Sequence, residues 1–423
     1  MPATPPGRRP AAVVFIFVTL VLDSVALGVV IPVLPTLVTE LHGGDNAEAA
    51  RIFGLFVTVG ALVQFVAAPL LGVLSDRVGR RPVILLSLVG LGLDYVLMAL
   101  APTLGWLFVA RVVSALTSAT WAMAFAYIAD VAPPDQRAKA FGRAAAGFGL
   151  GFILGPALGG LLGDVSPRLP FWISAALTLA NALYGALVLP ESLPRERRMP
   201  FSIVRANPVG ALALLRREPS LLALAVARFL RSIAHDVQPV IFVLYTVHRY
   251  GWSKTEVGVC LLIVGLAGTA VSAFLVQPLV SRLGERGTLL LGLASGGAAF
   301  TMFGWAPTEF WFYAAIPLEA LWWVDGAAMQ ALLTRRVSAS LQGELQGALA
   351  SVQGVGSLIA PPLFAYTYAA FIAGPPAGQV PGSAFYLAGA LMFTAGLVVW
   401  HATRRSAIGA ATAEPGDQAA RAD

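Results

Sequence analysis

The sequence predicts an all-α membrane protein of twelve transmembrane helices in two six-helix halves, from its composition, its recurring apolar runs and the alternation of arginine between loops. The chain has 423 residues, of which 57% are hydrophobic and only 12% charged, and its mean hydropathy is +0.77. So few charges cannot cover a soluble surface of this size, so the bilayer is the solvent for most of the chain. Apolar runs of about 20 residues, each long enough to cross the hydrocarbon core, recur throughout. The formal net charge of +6 is arginine in short loops, which argues for topology and against nucleic-acid binding. The one cysteine, Cys260, lies inside an apolar run, which excludes an internal disulfide and most thiolate metal sites. No resident cofactor or metal is expected.

The spans read as 11–38, 52–73, 83–101, 105–129, 140–163, 170–189, 221–247, 256–280, 287–306, 309–333, 347–372 and 383–402. Arg8 and Arg9, Arg77 to Arg81, Arg137 with Lys139, Arg195 to Arg217, Arg282 with Arg286, Arg335 with Arg336, and Arg404 with Arg405 fall on alternate loops. Those loops, and with them both termini, are expected on the cytoplasmic side. The N-terminal MPATPPGRRP carries no signal-peptidase site after a short apolar core, so the first run reads as a retained span. Residues 191–220 form the one long polar stretch between spans and divide the chain into an N-terminal bundle (1–190) and a C-terminal bundle (221–405). A disordered tail is expected over 406–423.

Span one places Asp23 near Gly28, Pro32 and Pro35, which are expected to break the helix beside the acid. Span two carries Gln64 and ends in Gly72-Val-Leu-Ser-Asp76-Arg77-Val-Gly79-Arg80-Arg81-Pro82, a compact polar turn between two apolar runs. Asp76 there can pair with arginines or with a helix end, forming a latch made in one conformation and broken in another. The plainer account is a topology anchor, which would not need glycines at fixed offsets from an acid. Spans three and four hold Asp94 and Arg111.

Span five carries Gly142, Gly151, Gly155, Pro156, Gly159 and Gly160. Small residues let helices approach closely, and proline bends a helix, so this run reads as a flexible interface or simply a packing face. Span seven contains Arg228, Arg231, His235 and Asp236, and span ten contains Glu319, Trp322, Trp323 and Asp325. After span eight, Ser281-Arg-Leu-Gly284-Glu-Arg286 echoes Asp76-Arg-Val-Gly79-Arg-Arg81, with serine in place of the acid. A parallel repeat of six spans accounts for the echo.

A charged side chain near the bilayer centre costs roughly 2.5–3.5 kcal/mol on insertion scales, so each needs a reason. An acid whose neighbours change between two conformations can take a proton from one side and release it to the other. Asp23, Asp94, Asp236, Glu319 and Asp325 are the candidates for proton coupling. Alternatives stay open in the second half: His235 as a packing residue, Glu319 paired with an arginine, and Asp325 solvated near a membrane edge. Trp322 and Trp323 beside two acids suit a planar, partly cationic drug, or else belong to an interfacial belt.

The Gly72–Arg81 turn resembles the signature loop of the major facilitator superfamily, and the glycine pattern of span five resembles its drug and proton antiporter motif. The stretches around Asp23, Gln64, Asp94 and Arg111, with AYIAD ending at Asp130, make the chain similar to the twelve-span bacterial tetracycline efflux antiporters. The resemblance implies the major facilitator fold, alternating access, and export of a metal-tetracycline chelate, its Mg2+ carried as substrate, in exchange for a proton. It implies Asp23, Gln64, Asp94 and Arg111 as substrate contacts, to which the residue reading adds Trp322 and Trp323. It further implies a bacterial inner-membrane protein; drug, protons and the bilayer are the expected partners, with no nucleic acid, and a monomer is expected to suffice. Where that family has a coupling histidine in span eight and an aspartate in span nine, this chain has Gly268 and Gly296. Either other acids couple transport or the substrate is another amphipathic drug or an endogenous metabolite. A membrane enzyme or receptor is the remote alternative, since no metal cluster, nucleophile elbow, phosphate loop or signalling domain is legible.

Overall fold

A computed structural model describes residues 8–133, 136–200, 212–215, 219–338 and 341–411. Among them the regular structure is helical: α1 (Arg8–Val30), α2 (Leu34–Leu41), α3 (Asn46–Val78), α4 (Arg80–Leu100), α5 (Leu104–Thr117), α6 (Thr120–Val131), α7 (Arg137–Val165), α8 (Leu169–Val188), α9 (Leu212–Leu215), α10 (Pro219–His235), α11 (Val237–Tyr250), α12 (Lys254–Phe274), α13 (Val276–Trp305), α14 (Glu309–Trp322), α15 (Asp325–Thr334), α16 (Gln342–Ile372) and α17 (Ser383–Ala411). Ten helical stretches among the described residues are long and apolar enough to cross a membrane. The other two expected spans, 221–247 and 309–333, are each divided into two shorter helices. The first breaks at Asp236, just ahead of Pro239, which has no N–H to carry the helix across the junction. The second breaks at Trp323 and Val324, and Asp325 opens α15, where the exposed N–H groups of a helix start favour a carboxylate.

The expected break beside Asp23 lies elsewhere. α1 runs without interruption past Asp23 and Gly28, and the chain turns at Ile31 to Val33, just before Pro35 in the first turn of α2. At the other end, α17 continues to Ala411. Residues 406–411, expected in the tail, are therefore helical, as suits the alanine-rich Ser-Ala-Ile-Gly-Ala-Ala. Residues 412–423 lie outside the described residues, as do 201–211 and 216–218 of the central loop.

The chain divides into two compact units, the first comprising Met1–Asn207, Gln238–Leu266 and Pro361–Pro381, the second Pro208–Val237, Ala267–Ala360 and Gly382–Asp423. In the first, α1 packs on α7, α8 and α6, and α4 packs on α8 and α5. Phe15, Ile16, Leu20, Ile84, Leu88, Tyr127 and Ile128 form part of its core. Asp45 begins α3 by accepting N–H groups of Ala47 and Glu48 at 2.8 and 3.1 Å. In the second unit α13 packs against α14, α15 and α17, and α10 lies on α17. Phe300, Phe303, Phe312, Trp322 and Phe385 are buried there. Lipid tails are as apolar as these side chains, so close packing and polar contacts hold such helices together rather than the hydrophobic effect.

The two echoed segments make the same kind of turn. Gly79 joins α3 to α4 at φ 113°, ψ 162°, and Gly284 bends α13 at φ 69°, ψ 172°. Both lie in the left-handed half of backbone space, where a side chain is strained.

Candidate functional site

The Gly72–Arg81 turn is the hub of a polar network in the first unit. Arg80 Nη2 lies 2.7 Å from Asp76 and its Nε 3.3 Å from Asp130 at the end of α6. Another Arg80 nitrogen donates to the Ser75 hydroxyl. The backbone N–H of Arg80 donates to Glu191 Oε1 at 2.8 Å, and Arg81 donates to the Ala186 carbonyl at 2.6 Å. Ser192 donates to Asp130 at 3.1 Å, and Met199 N–H donates to the Asp76 carbonyl at 3.0 Å. The start of the expected tether is thus docked on the loop. A side chain at Gly79 would run into the Glu191 carboxylate, whereas one at Gly72 would meet nothing. Arg77 is exposed.

The glycine run of α7 divides in the same way. A Cβ at Gly151 would come 2.8 Å from Val25 N, and one at Gly155 would come 2.7 Å from Gly28 Cα. A Cβ at Gly159 would strike the Val29 carbonyl, and one at Gly160 would strike the Lys254 carbonyl. Gly151 to Gly160 are therefore the contact strip of α7 against α1 and the start of α12. Gly142 is exposed with open space around it, so helix packing does not account for it. At the end of α7, Asp164 accepts the N–H groups of Lys254 and Thr255 at 3.1 and 2.9 Å, and Lys254 reaches Glu40 at 3.5 Å. A cavity of about 280 Å³ opens beside them, lined by Glu40, Asn46, Asp164, Ser253 and Lys254 among others.

Deeper in this unit the structure gathers Asp23, Asp94, Tyr95 and Arg111. Asp23 is 5% exposed and Asp94 fully buried. The indole of Trp121 lies beside Asp23, and Ser114 beside Asp94. The buried phenol of Tyr95 is within electrostatic reach of both acids and of Arg111. Arg111 stands 3.9 Å from Asp94, at the limit of an ion pair. Neither carboxyl oxygen of Asp94, nor Oδ1 of Asp23, nor the Tyr95 hydroxyl has a hydrogen-bond partner among the described residues. Carboxyl oxygens without hydrogen-bond donors are expensive in a membrane interior. Gln64 is exposed on α3 and donates to Ser118, at the break between α5 and α6, at 3.3 Å.

The second unit is arranged differently. Arg231 grips Asp325 through Nε at 2.5 Å and Nη2 at 2.8 Å, and the Trp322 indole N–H donates to the same carboxylate at 2.8 Å. The guanidinium also lies 5.1 Å from the centre of the Trp322 ring. Asp325 is fully buried rather than solvated at a membrane edge. Asp236 takes the Ser357 hydroxyl at 3.1 Å and lies 3.2 Å from His235 Nδ1. Glu319 is 1% exposed. The two tryptophans do not form one wall. Trp322 is 2% exposed and packs over Gly296, where a Cβ would come 2.9 Å from the ring. Trp323 is 40% exposed and packs over Gly268, with 2.6 Å to its ring. The two glycines that depart from the family pattern are thus the floors on which these indoles sit.

Sequence reasoning passed over Glu191 and Ser192, Ser357, Tyr95 and Trp121 as site residues. The polar residues at helix ends carried a signal in their position beside apolar spans. Tyr95 and Trp121 carried none, because an aromatic in a span is ordinary packing.

The major facilitator superfamily model matches residues 16–234 and 221–422. The chain is 36% identical to the class C tetracycline resistance protein of Escherichia coli, over 85% of this chain and 90% of that protein. It is 39% identical to the class G tetracycline resistance protein of Vibrio anguillarum, over 82% and 88%. Among solved structures it resembles the nucleoside transporter NupG with a TM-score of 0.75 at 12% identity, covering 93% of this chain and 99% of that one.

Proposed function

The chain belongs to the major facilitator superfamily and is a multi-pass secondary transporter rather than an enzyme, and within that family we propose that it exports tetracycline as a metal chelate in exchange for protons. The observation that carries this reading is the group Asp23, Asp94 and Arg111. Two buried carboxyls with unfilled hydrogen-bonding capacity sit near a guanidinium held just short of a firm ion pair. Such a group can take up either a proton or the cationic side of a substrate, and binding of one disfavours the other. That competition is the minimum requirement for antiport. Kinship with the tetracycline resistance proteins of classes C and G supports the substrate. One proton crossing inward gains about 2.3 kcal/mol per 100 mV of membrane potential.

Asp325 acts as a fixed partner of Arg231 in this reading, and Asp23 with Asp94 exchange the proton. The Asp76–Arg80–Asp130 network is the conformational latch, and the Gly151–Gly160 strip lets α7 shift against its neighbours. The protein works as a monomer in the bacterial inner membrane with both termini in the cytoplasm, and Mg2+ enters only as part of the cargo. The test is accumulation of radiolabelled tetracycline by energised everted vesicles. Uptake should require Mg2+ and stop on adding a protonophore. Uptake indifferent to the protonophore overturns the coupling, and no uptake of tetracycline beside uptake of another amphipathic drug overturns the substrate.

A further inference from the structure

Of the two guanidiniums in the broken span over 221–247, Arg231 has a carboxylate partner and Arg228 has none within ion-pair distance among the described residues. It lies nine residues beyond Pro219, the first residue of α10, hence about 13 Å along the helix axis, deep for a core about 30 Å thick. At about 100° per residue, Arg228, Arg231 and His235 share one stripe, opposite the exposed Leu222 and Val226. The basic stripe therefore points away from the apolar exposed side. The charged groups around it are otherwise occupied. Arg231 and Asp325 satisfy one another, and Asp236 is engaged by His235 and Ser357. Arg228 feels the like charge of Arg231 and the attraction of Asp325 at a distance, but its Nε is buried with no hydrogen-bond partner among the described residues.

A guanidinium carries its donors in a planar fork that fits carboxylate-like pairs of oxygens, and it cannot shed its charge as a lysine can. Its Nε has no acceptor among the described residues, so an anion that reached this guanidinium would gain a charge-assisted pair. We infer that Arg228 is the contact for an anionic oxygen group on the transported molecule. The inference rests on the transport reading above and adds a requirement to the cargo: beside any cationic part, it bears a delocalised oxyanion, as a tetracycline does in its enolate system.

The experiment uses purified full-length protein in lipid nanodiscs with three probes: tetracycline with Mg2+, a dansylated carboxylate, and a dansylated amine of the same length. Arg228→Gln should weaken the two oxyanion-bearing probes at least about tenfold, the worth of one charge-assisted pair, and leave the amine within about twofold. Arg228→Lys should recover part of that loss. Equal weakening of all three probes, with a lowered melting temperature, assigns Arg228 a structural role and overturns the inference. Unchanged binding of all three overturns it too. Titrating chloride against each probe separates the remaining source: if Arg228→Gln removes only chloride competition and spares tetracycline, the anion is chloride and the inference fails. If wild type ignores tetracycline but binds the carboxylate through Arg228, tetracycline export falls while the anion site stands.

Discussion

Asp94 and Asp325 are both fully buried and an arginine faces each, yet Arg231 holds Asp325 through two N–H groups whereas Arg111 stops 3.9 Å from Asp94. Trp322 adds a third donor to Asp325, and no group donates to Asp94 among the described residues. A carboxylate gripped by three donors is a fixed charge that holds helices together. One gripped by none keeps its oxygens available for a proton or a cation. Equal burial therefore does not mean equal engagement, and the number of donors separates the two acids.

The sharpest break in that comparison is neutralisation. Asp94→Asn and Asp23→Asn should reduce tetracycline accumulation in everted vesicles to the protonophore-treated background while leaving membrane insertion intact. Asp325→Asn should do the reverse and act first on stability. It strands the Arg231 charge, at a cost of about 3–5 kcal/mol, read as a lower midpoint of thermal unfolding in detergent. Replacing both partners, Arg231→Met with Asp325→Leu, should recover much of that loss.

Restoring acidity in the second unit tests the same contrast from the other side. Gly296→Asp drives a side chain into the Trp322 ring and should cost about 1–3 kcal/mol by overpacking. Combined with Trp322→Ala the cost should be less than the sum of the two single changes, because the space is shared. The smallest effects belong to the twin turns. Gly79→Ala and Gly284→Ala each force an alanine into left-handed backbone, worth about 1–2 kcal/mol. Gly79→Ala should lose more, since only there does a Cβ also meet a side chain, that of Glu191.

Much of this was legible in the sequence. Hydropathy marked out the spans and arginine placement their sidedness, and the DRVGRR and SRLGER echo pointed to a repeat of six spans, though not to the two glycine turns that the structure shows there. Asp23, Asp94 and Arg111 stood out because charge in an apolar run needs a reason. The breaks at Asp236 and Trp323 were not legible, because hydropathy averages over a window and does not register a lost helical bond. Nor was the pairing of Gly296 with Trp322, or of Gly268 with Trp323, since in each pair the residues lie far apart along the chain. The separate fates of Asp94 and Asp325 depend on counting donors, and donors arrive from other helices.

The most direct test is proton movement in proteoliposomes carrying the purified protein, an imposed pH gradient and a pH-sensitive dye, with tetracycline and Mg2+ added. Wild type and the Arg231→Met/Asp325→Leu variant should both dissipate the gradient on adding drug, and Asp94→Asn should hold it. If Asp94→Asn dissipates the gradient as wild type does while the Arg231→Met/Asp325→Leu variant holds it, the proton travels through the second unit, and the division of duty between the two acids is wrong.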